Sequence, residues 1–462
     1  MIIIKTNANF RAEKEYIFHV IFEVFLGLAY QVQIEDQQSN RYELHFADKR
    51  IEFEDAFFAC ITQEKYYECQ GNIPEQVTFA ENPFTPEKDI PILYGHDQCQ
   101  LKDKSIYCGI DIFASNFFML SRWEEYANPI RDQHNRFPAS ASLAYQYDFL
   151  LRPIVNEYVE MLWNMLTKLG YGQPRKPRQF EVKVSHDVDA PYRYVFQPFY
   201  TVPRLIAGAM LKRQELAAPF SIPWQYAKSL LSPEKYDPYY TFDQIMDISE
   251  AHNLVSAFYF IADHSAGKID GDYDIFHPRI QQLMKHIADR GHEIGVHGSY
   301  NSYNDPKQYK RELDRLKQSC QKVGIEQSCW GSRQHFLRWH SPQTPQLLNE
   351  ASVDYDTTCG YADHIGFRCG TCYEFPMFDF QRKEMLSVFQ RPLILMECSL
   401  LDKRYMHLPI TEALKLGLQL KSTVEKYRGL FTLLWHNTRF LSRQEISLYH
   451  AFVMESIDSR GT

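Results

Sequence analysis

The 462-residue chain lacks an uninterrupted apolar run of ~18 residues, and with it any candidate for a bilayer-spanning helix. The nearest approach, residues 16–30 (YIFHVIFEVFLGLAY), is broken by His19 and Glu23. It comes after the acidic Glu13 and Glu15 and has no small-residue cleavage site, so it does not look like a secretory signal. An amphipathic or buried helix in a cytoplasmic protein is expected. Positive charge is not in excess either. Fifty Lys and Arg stand against 58 Asp and Glu, a formal net charge of −8. A nucleic-acid-binding protein would need a basic face, which speaks against that class. No Gly-rich phosphate loop comes after the first strand of the second half, so a nucleotide-binding fold has no motif to rest on. There is no internal repeat and no low-complexity segment. The ten cysteines are scattered, and buried free thiols are expected. The one C-x-x-C, Cys369 and Cys372, has no second pair to complete a structural zinc site. Its context, GFRCGTCYEF, lacks the helix on which a redox motif is built.

The surplus in this chain is aromatic: 32 Phe, 30 Tyr and 6 Trp, or 15%. Such side chains supply buried area and also line sugar and base sites, so composition does not choose between the two uses. With 45% apolar and 23% charged residues the chain reads as a packed globule, and its length suits two domains. MIIIK starts a strand, residues 11–28 form a helix, and YQVQI, RYELHF and KRIEFED carry strand signals. Helices are expected over 111–126 and 149–169. The segment YGQPRKPRQF (171–180), with two prolines and a glycine, is the best linker. It divides the chain into 1–175, a smaller α/β domain with a helical C-terminal part, and 176–462.

Beyond the linker, apolar strands alternate with helices. FEVKVSHDVD, LVSAFYFIAD, HEIGVH and GLFTLLWH read as strands. Residues 204–230, 241–253, 278–290, 305–322, 343–351 and 411–427 read as helices. Such alternation implies parallel strands covered by helices, in a barrel or an open sheet. In either case the carboxyl ends of the strands carry the functional side chains. Here those ends hold Asp187 and Asp189 (SHDVD), His297 (GHEIGVH), Arg333 (GSRQHF) and His436 (LLWHN). Five catalytically capable residues on four strand ends are hard to explain as solvated surface. The chemistry they suit is metal-assisted hydrolysis of an amide or ester. One carboxylate binds a cation beside a histidine and the other takes a proton from the attacking water. A second histidine protonates the leaving amine, and the arginine fixes the base. Asp363 and Arg368, in the loop YADHIGFRCG, are candidate substrate contacts.

D-V-D, G-H-E-I-G-V-H, an arginine-containing loop and a terminal L-W-H, in that order, resemble the polysaccharide deacetylases. These are the NodB-homology domains of carbohydrate esterase family 4, and the resemblance covers about 180–440. It implies a distorted (β/α)7-type barrel, with Asp187 as catalytic base, Asp189 and His297 as metal ligands and His436 as catalytic acid. The family's R-x-P-Y motif reads Arg333-Gln334-His335-Phe336 here. Arg333 matches its arginine, and the backbone N–H near Phe336 is the implied oxyanion donor. Four residues after His297 the family places a second histidine, where this chain has Asn301. Either Asn301 supplies the third ligand, or His264, His335 or His186 substitutes. Asp356, in VDYDTT, matches one of the family's later aspartates and is assigned to orient His436 or Arg333. The implied cofactor is a divalent metal (Zn, Co or Ni). The stretches DIFASNFFMLSRWEEY and NRFPAS resemble an uncharacterised domain that precedes such deacetylases in some bacteria, which implies no activity.

The function expected is removal of an N-acyl group, most simply acetyl, from an amino sugar in a polysaccharide or its biosynthetic intermediate. One alternative is a glycan-binding or scaffolding protein that has lost its metal, the view Asn301 favours. The other is an amidohydrolase acting on a non-sugar, cyclic amide. Six aromatics near the proposed site (Tyr192, Tyr300, Tyr303, Phe336, Trp339 and Trp435) are candidates for stacking on a sugar ring.

Overall fold

A computed structural model describes residues 1–35, 40–62 and 64–454. The described chain is mixed α/β and rich in parallel strands. It divides into two compact units. The first comprises Met1–Glu181, Phe336–Met406 and Gln419–Thr432; the second comprises Val182–His335, His407–Leu418 and the chain from Leu433 onward.

The first unit holds a six-stranded sheet in the order Tyr30–Ile34, Ile2–Thr6, Arg41–Phe46, Lys49–Glu54, Ser105–Ile110, Gly95–Lys102. Ile2 and Ile4 alternate inward along their strand, the half-buried pattern that period-2 sequences give. Residues 11–28, expected as one helix, form an α-helix over Arg11–Phe18 that widens into a π-helix over His19–Leu26. The aromatic surplus is spent here. Phe113 packs on Phe18, Tyr42 and Phe53 at ring distances of 4.8–5.5 Å, mostly edge to face.

The sequence places one boundary near 175. In the structure the chain leaves the first unit at Glu181 and then returns to it twice. The reason is long-range packing. The Tyr16 hydroxyl donates to Pro376 O at 2.9 Å, and its ring lies 4.7 Å from Phe378. Gly370 O accepts from Val155 N, and Cys372 N donates to Asn156 Oδ1. Strands Phe375–Asp379 and Glu384–Gln390 and the C-x-x-C loop are therefore part of the core that the N-terminal helices need. Linker composition reports only local backbone preference and cannot register such a return.

In the second unit four parallel strands lie side by side in chain order: Glu181–Val188, Ser256–Ile261, Glu293–Gly298 and Gly331–Gln334. Ser256–Ile261 is buried at every position, as a parallel strand covered on both faces must be. Helices Phe242–Ala251, Pro278–Asp289 and Pro306–Lys322 connect them. The last begins at Asp305, whose carboxylate accepts from Lys307 N and Gln308 N, with Pro306 in the first turn. Residues 204–230, expected as one helix, are two: Val202–Arg213 and Ala218–Leu231. Gln214 adopts a left-handed conformation (φ 58°), which ends the first. No helix among the described residues is long and apolar enough to cross a membrane.

Candidate active site

The register of the second-unit strands aligns the chemistry. Tyr259 pairs with Asp187 on one side and Gly295 on the other, while His297 pairs with Ile261 and Arg333. Side chains two residues apart share a face. Asp187 and Asp189, Gly295 and His297, and Arg333 and His335 therefore project toward one region at the strands' carboxyl ends. Tyr273 braces that end: its hydroxyl donates to Val188 O (2.8 Å) and accepts from Ile261 N (2.7 Å).

Three donors converge. Asp189, His297 and His335 each offer one ligand atom, all within 4.8 Å of one another. His297 Nδ1 lies 3.0 Å from Arg333 O. A carbonyl only accepts, so Nδ1 carries the proton and the Nε2 lone pair is left facing Asp189 Oδ1 at 3.3 Å and Asp187 Oδ2 at 3.7 Å. His335 repeats the arrangement. Its Nδ1 lies 3.2 Å from Asp270 Oδ1, and its Nε2 is 3.5 Å from Asp189 Oδ1. Buried His297 Nε2 and Asp189 Oδ1 have no hydrogen-bond partner. Two imidazole lone pairs and a carboxylate aimed at one point repel one another unless a cation stands between them. The donor set, two nitrogens and an oxygen, suits a divalent transition metal. Burial alone would raise the Asp189 carboxyl and lower His297. The histidines around Asp189 outweigh it there, and Asp187 and Asp189 outweigh it at His297, so Asp189 is held well below the usual carboxylate range and His297 is raised.

Asp270 is the residue that sequence reasoning missed. It is fully buried, accepts from Tyr300 N (2.6 Å) and Ala266 N (2.7 Å), and fixes the His335 tautomer. Gly271 brings it there: at φ 87°, a Cβ on this residue would sit 2.5 Å from Asp189 O. No spacing rule connects a loop aspartate at 270 with a histidine at 335; the D-G pair is the sole local signal of a tight turn.

On the far side of Asp189, His436 Nε2 is 3.8 Å from Oδ2. Arg333 is fully buried, with Nε 3.6 Å from Asp187 Oδ1 and Nη2 donating to Ser185 Oγ at 2.7 Å. Its guanidinium lies over the Tyr259 ring, 5.3 Å from the centroid. Tyr259 occupies space that a Cβ on Gly295 would fill. Ser185, two residues before Asp187, is thus a second positioning group, one that no sequence motif marks.

Other expectations require correction. Asn301 is engaged with a neighbouring loop, its amide donating to Ser265 O at 3.2 Å and its backbone N to Ser265 Oγ, and the histidine that converges with Asp189 and His297 is His335. His186 is a core residue between Trp435 O and Ser256 Oγ, and His264 is exposed. Arg368 is buried in the first unit, where it grips Glu125 bidentately (2.9 and 2.6 Å) and donates to Gly360 O. A guanidinium so engaged offers substrate no access. The Asp363 carboxylate accepts from Ala139 N. Asp356 is buried and accepts from the N–H and hydroxyl of Thr358, both at 2.8 Å. Phe336, in the first unit, is left-handed (φ 62°), and its carbonyl accepts from Arg136 Nη1. Of the six candidate stacking aromatics, Tyr192, Tyr303, Trp339 and Trp435 are buried in the core, whereas Tyr300 and Phe336 are part-exposed.

A family of unknown function, DUF7033, matches residues 2–171. No curated protein matches the chain. Among solved structures, similarity is found to an assigned polysaccharide deacetylase from Mycobacterium smegmatis. That pair is 18% identical, covering 60% of this chain and 84% of the other, with a TM-score of 0.38. The polysaccharide deacetylase Bc1974 from Bacillus cereus is 12% identical, with coverages of 60% and 86% and a TM-score of 0.28. The Puue allantoinase is 11% identical, with coverages of 62% and 88% and a TM-score of 0.35. Scores this low establish no common fold, so the chemistry has to come from the side chains themselves.

Proposed function

We propose that the second unit is a metal-assisted hydrolase of the deacetylase type, with a distorted barrel as its frame. Its reaction is removal of an N-acyl group, acetyl in the simplest case, from an amino sugar in a polysaccharide or its precursor. The observation that carries this is the convergence of Asp189, His297 and His335 next to an arginine-tethered carboxylate and a further histidine. A divalent cation held by those three would supply Lewis acidity toward a substrate carbonyl. Asp187, positioned by Arg333, takes the proton of the attacking water. His436, on the opposite side of Asp189, is placed to protonate the departing amine. Asn301 favoured a metal-free glycan-binding protein; His335 supplies the donor that Asn301 does not, which supports the catalytic reading. Pure binding would need neither a base nor an acid.

The test is acetate release from N-acetylated amino-sugar oligosaccharides by the full chain loaded with zinc, cobalt or nickel. Turnover that falls by at least 100-fold in Asp187→Asn and in His436→Ala is expected. No release from any such substrate with any of the three metals refutes the proposal, and release from a cyclic amide alone would reassign the site to a non-sugar amidohydrolase.

A further inference from the structure

The helical hairpin Val202–Arg213 and Ala218–Leu231 has a core of its own. Ala218, Ile222 and Tyr226 on the second helix pack against Val202 and Ala209 on the first and against Tyr194. That uses one face of the second helix. The opposite face is also apolar. Phe220, Trp224 and Leu231 recur at spacings of four and seven, which on a helix is a single stripe, and Leu216 precedes them in the turn before the helix. They point outward: Leu216 is 85% exposed, Phe220 84%, Trp224 63% and Leu231 86%. Leu211 at the hairpin's turn is 84% exposed. No large hydrophobic outside this region, among the described residues, is as exposed as Phe220 or Leu231. Isolated exposed leucines are ordinary, but a continuous stripe of Leu, Phe and Trp along one helix is costly to leave in water and marks a surface that something covers.

Charge decides the nature of the covering surface. The chain as a whole is acidic, yet in the sequence from Val202 to Tyr236 the basic Arg204, Lys212, Arg213, Lys228 and Lys235 outnumber the acidic Glu215 and Glu234. Lys228 Nζ lies 4.4 Å over the Trp224 ring and 4.7 Å over Tyr236, and Lys235 lies over Tyr236. An apolar face of Leu, Phe and Trp, edged by a lysine whose ammonium lies over the Trp224 ring, is the composition of a helix lying in the headgroup region of an anionic bilayer. Fourteen residues are too few to cross one, so the helix lies on the surface. We infer that the outer face of Ala218–Leu231 is a membrane-surface docking site for anionic lipid, inserting Phe220, Trp224 and Leu231 among the acyl chains. This inference is independent of the chemistry proposed for the site.

Flotation of the full-length protein with vesicles tests it. The vesicles are phosphatidylcholine alone or with about a third phosphatidylglycerol. The expected result is partition onto the anionic vesicles with a blue shift in tryptophan emission. Partition should be at least tenfold weaker on neutral vesicles, and at least tenfold weaker on anionic vesicles for the triple variant Leu216→Gln, Phe220→Gln, Trp224→Gln. All three side chains are exposed, so the variant should keep its melting temperature; a single variant, Phe220→Ser, weakening binding in the same direction serves if the triple variant melts early. Absence of wild-type partition overturns the proposal, as does equal binding by folded variant and wild type. Light scattering distinguishes the rival occupant: a concentration-dependent dimer, lost in the triple variant, without vesicle binding would assign the stripe to a second copy of the chain.

Discussion

Replacing Asp270 by Asn isolates what would make His335 a ligand for the proposed metal. Asp270 touches His335 from behind, through Nδ1 at 3.2 Å, and is held by two backbone N–H groups at 2.6 and 2.7 Å. Asn preserves the volume, and with its oxygen in the Oδ1 position it still accepts from Tyr300 N, while its NH2 replaces the oxygen that Ala266 N reaches, so thermal melting has to show that the loop stays folded. The substitution removes the negative charge behind the imidazole and the strict preference for a protonated Nδ1. Loss of such a carboxylate partner weakens metal affinity by about 10–100-fold, or roughly 1.4–2.7 kcal/mol. The assay is competition for zinc against a chromophoric chelator, using metal-stripped full chain, with thermal melting of the stripped protein to confirm folding. His335→Ala should lose more than Asp270→Asn, and Asn301→Ala should bind within about twofold of wild type. Two results refute the reasoning: Asp270→Asn unchanged in a folded protein, or Asn301→Ala as damaging as His335→Ala.

The same geometry leads to four more expected outcomes. Gly295→Ala should cost about 1–3 kcal/mol by overpacking against Tyr259, and should lower kcat more than it raises KM, because Tyr259 carries the Arg333 guanidinium; denaturant unfolding and steady-state kinetics read the two effects. Arg368→Leu strands Glu125, which Arg368 and Arg122 hold at about 2 against the opposing effect of burial, and should cost about 3–5 kcal/mol in chemical unfolding. Burial pushes the Glu312 carboxyl up to about 7, against donation from Ser299 and Gln308. The folded state then binds this proton more tightly than the unfolded chain, so stability is full below about pH 4.5 and declines as pH rises to about 7, by about 3 kcal/mol; Glu312→Gln should flatten that part of the pH dependence of the denaturation midpoint. Stripping divalent metal should lower the melting temperature, and restoring zinc to about 100 times its Kd should return about 2.7 kcal/mol, an increment that His297→Ala abolishes.

Legibility in the sequence differs residue by residue. The gathering of Asp187, Asp189, His297 and His436 at one end of the sheet was legible because each ends or succeeds an apolar strand, and parallel strands bring their carboxyl-terminal residues together. Arg333 could be found for the same reason. Asp270 and Ser185 could not, since their roles are contacts across the fold rather than positions in a pattern. Asn301 sits where a histidine is expected, while the imidazole that converges with Asp189 and His297 comes from the end of the next strand. Arg368 misled because a loop arginine beside glycines looks accessible, and the Glu125 that buries it lies far earlier in the chain. The hairpin's two helices were read as one because a left-handed Gln214 has no strong sequence signature.

The discontinuous build of the first unit has a consequence for how the protein is made. Its N-terminal segment leaves the ribosome with Tyr16, Phe25 and Asn156 lacking partners that lie between Gly370 and Phe378. All of residues 182–335 must be synthesised first, roughly ten to thirty seconds at ~5–20 residues per second. During that interval the nascent chain presents an unfinished aromatic surface while the second unit's first four strands are already complete. Neither unit is complete until the chain beyond Met406 has been made, and a gene fragment cut at the Pro-rich linker would encode a product that never meets the rest of its core.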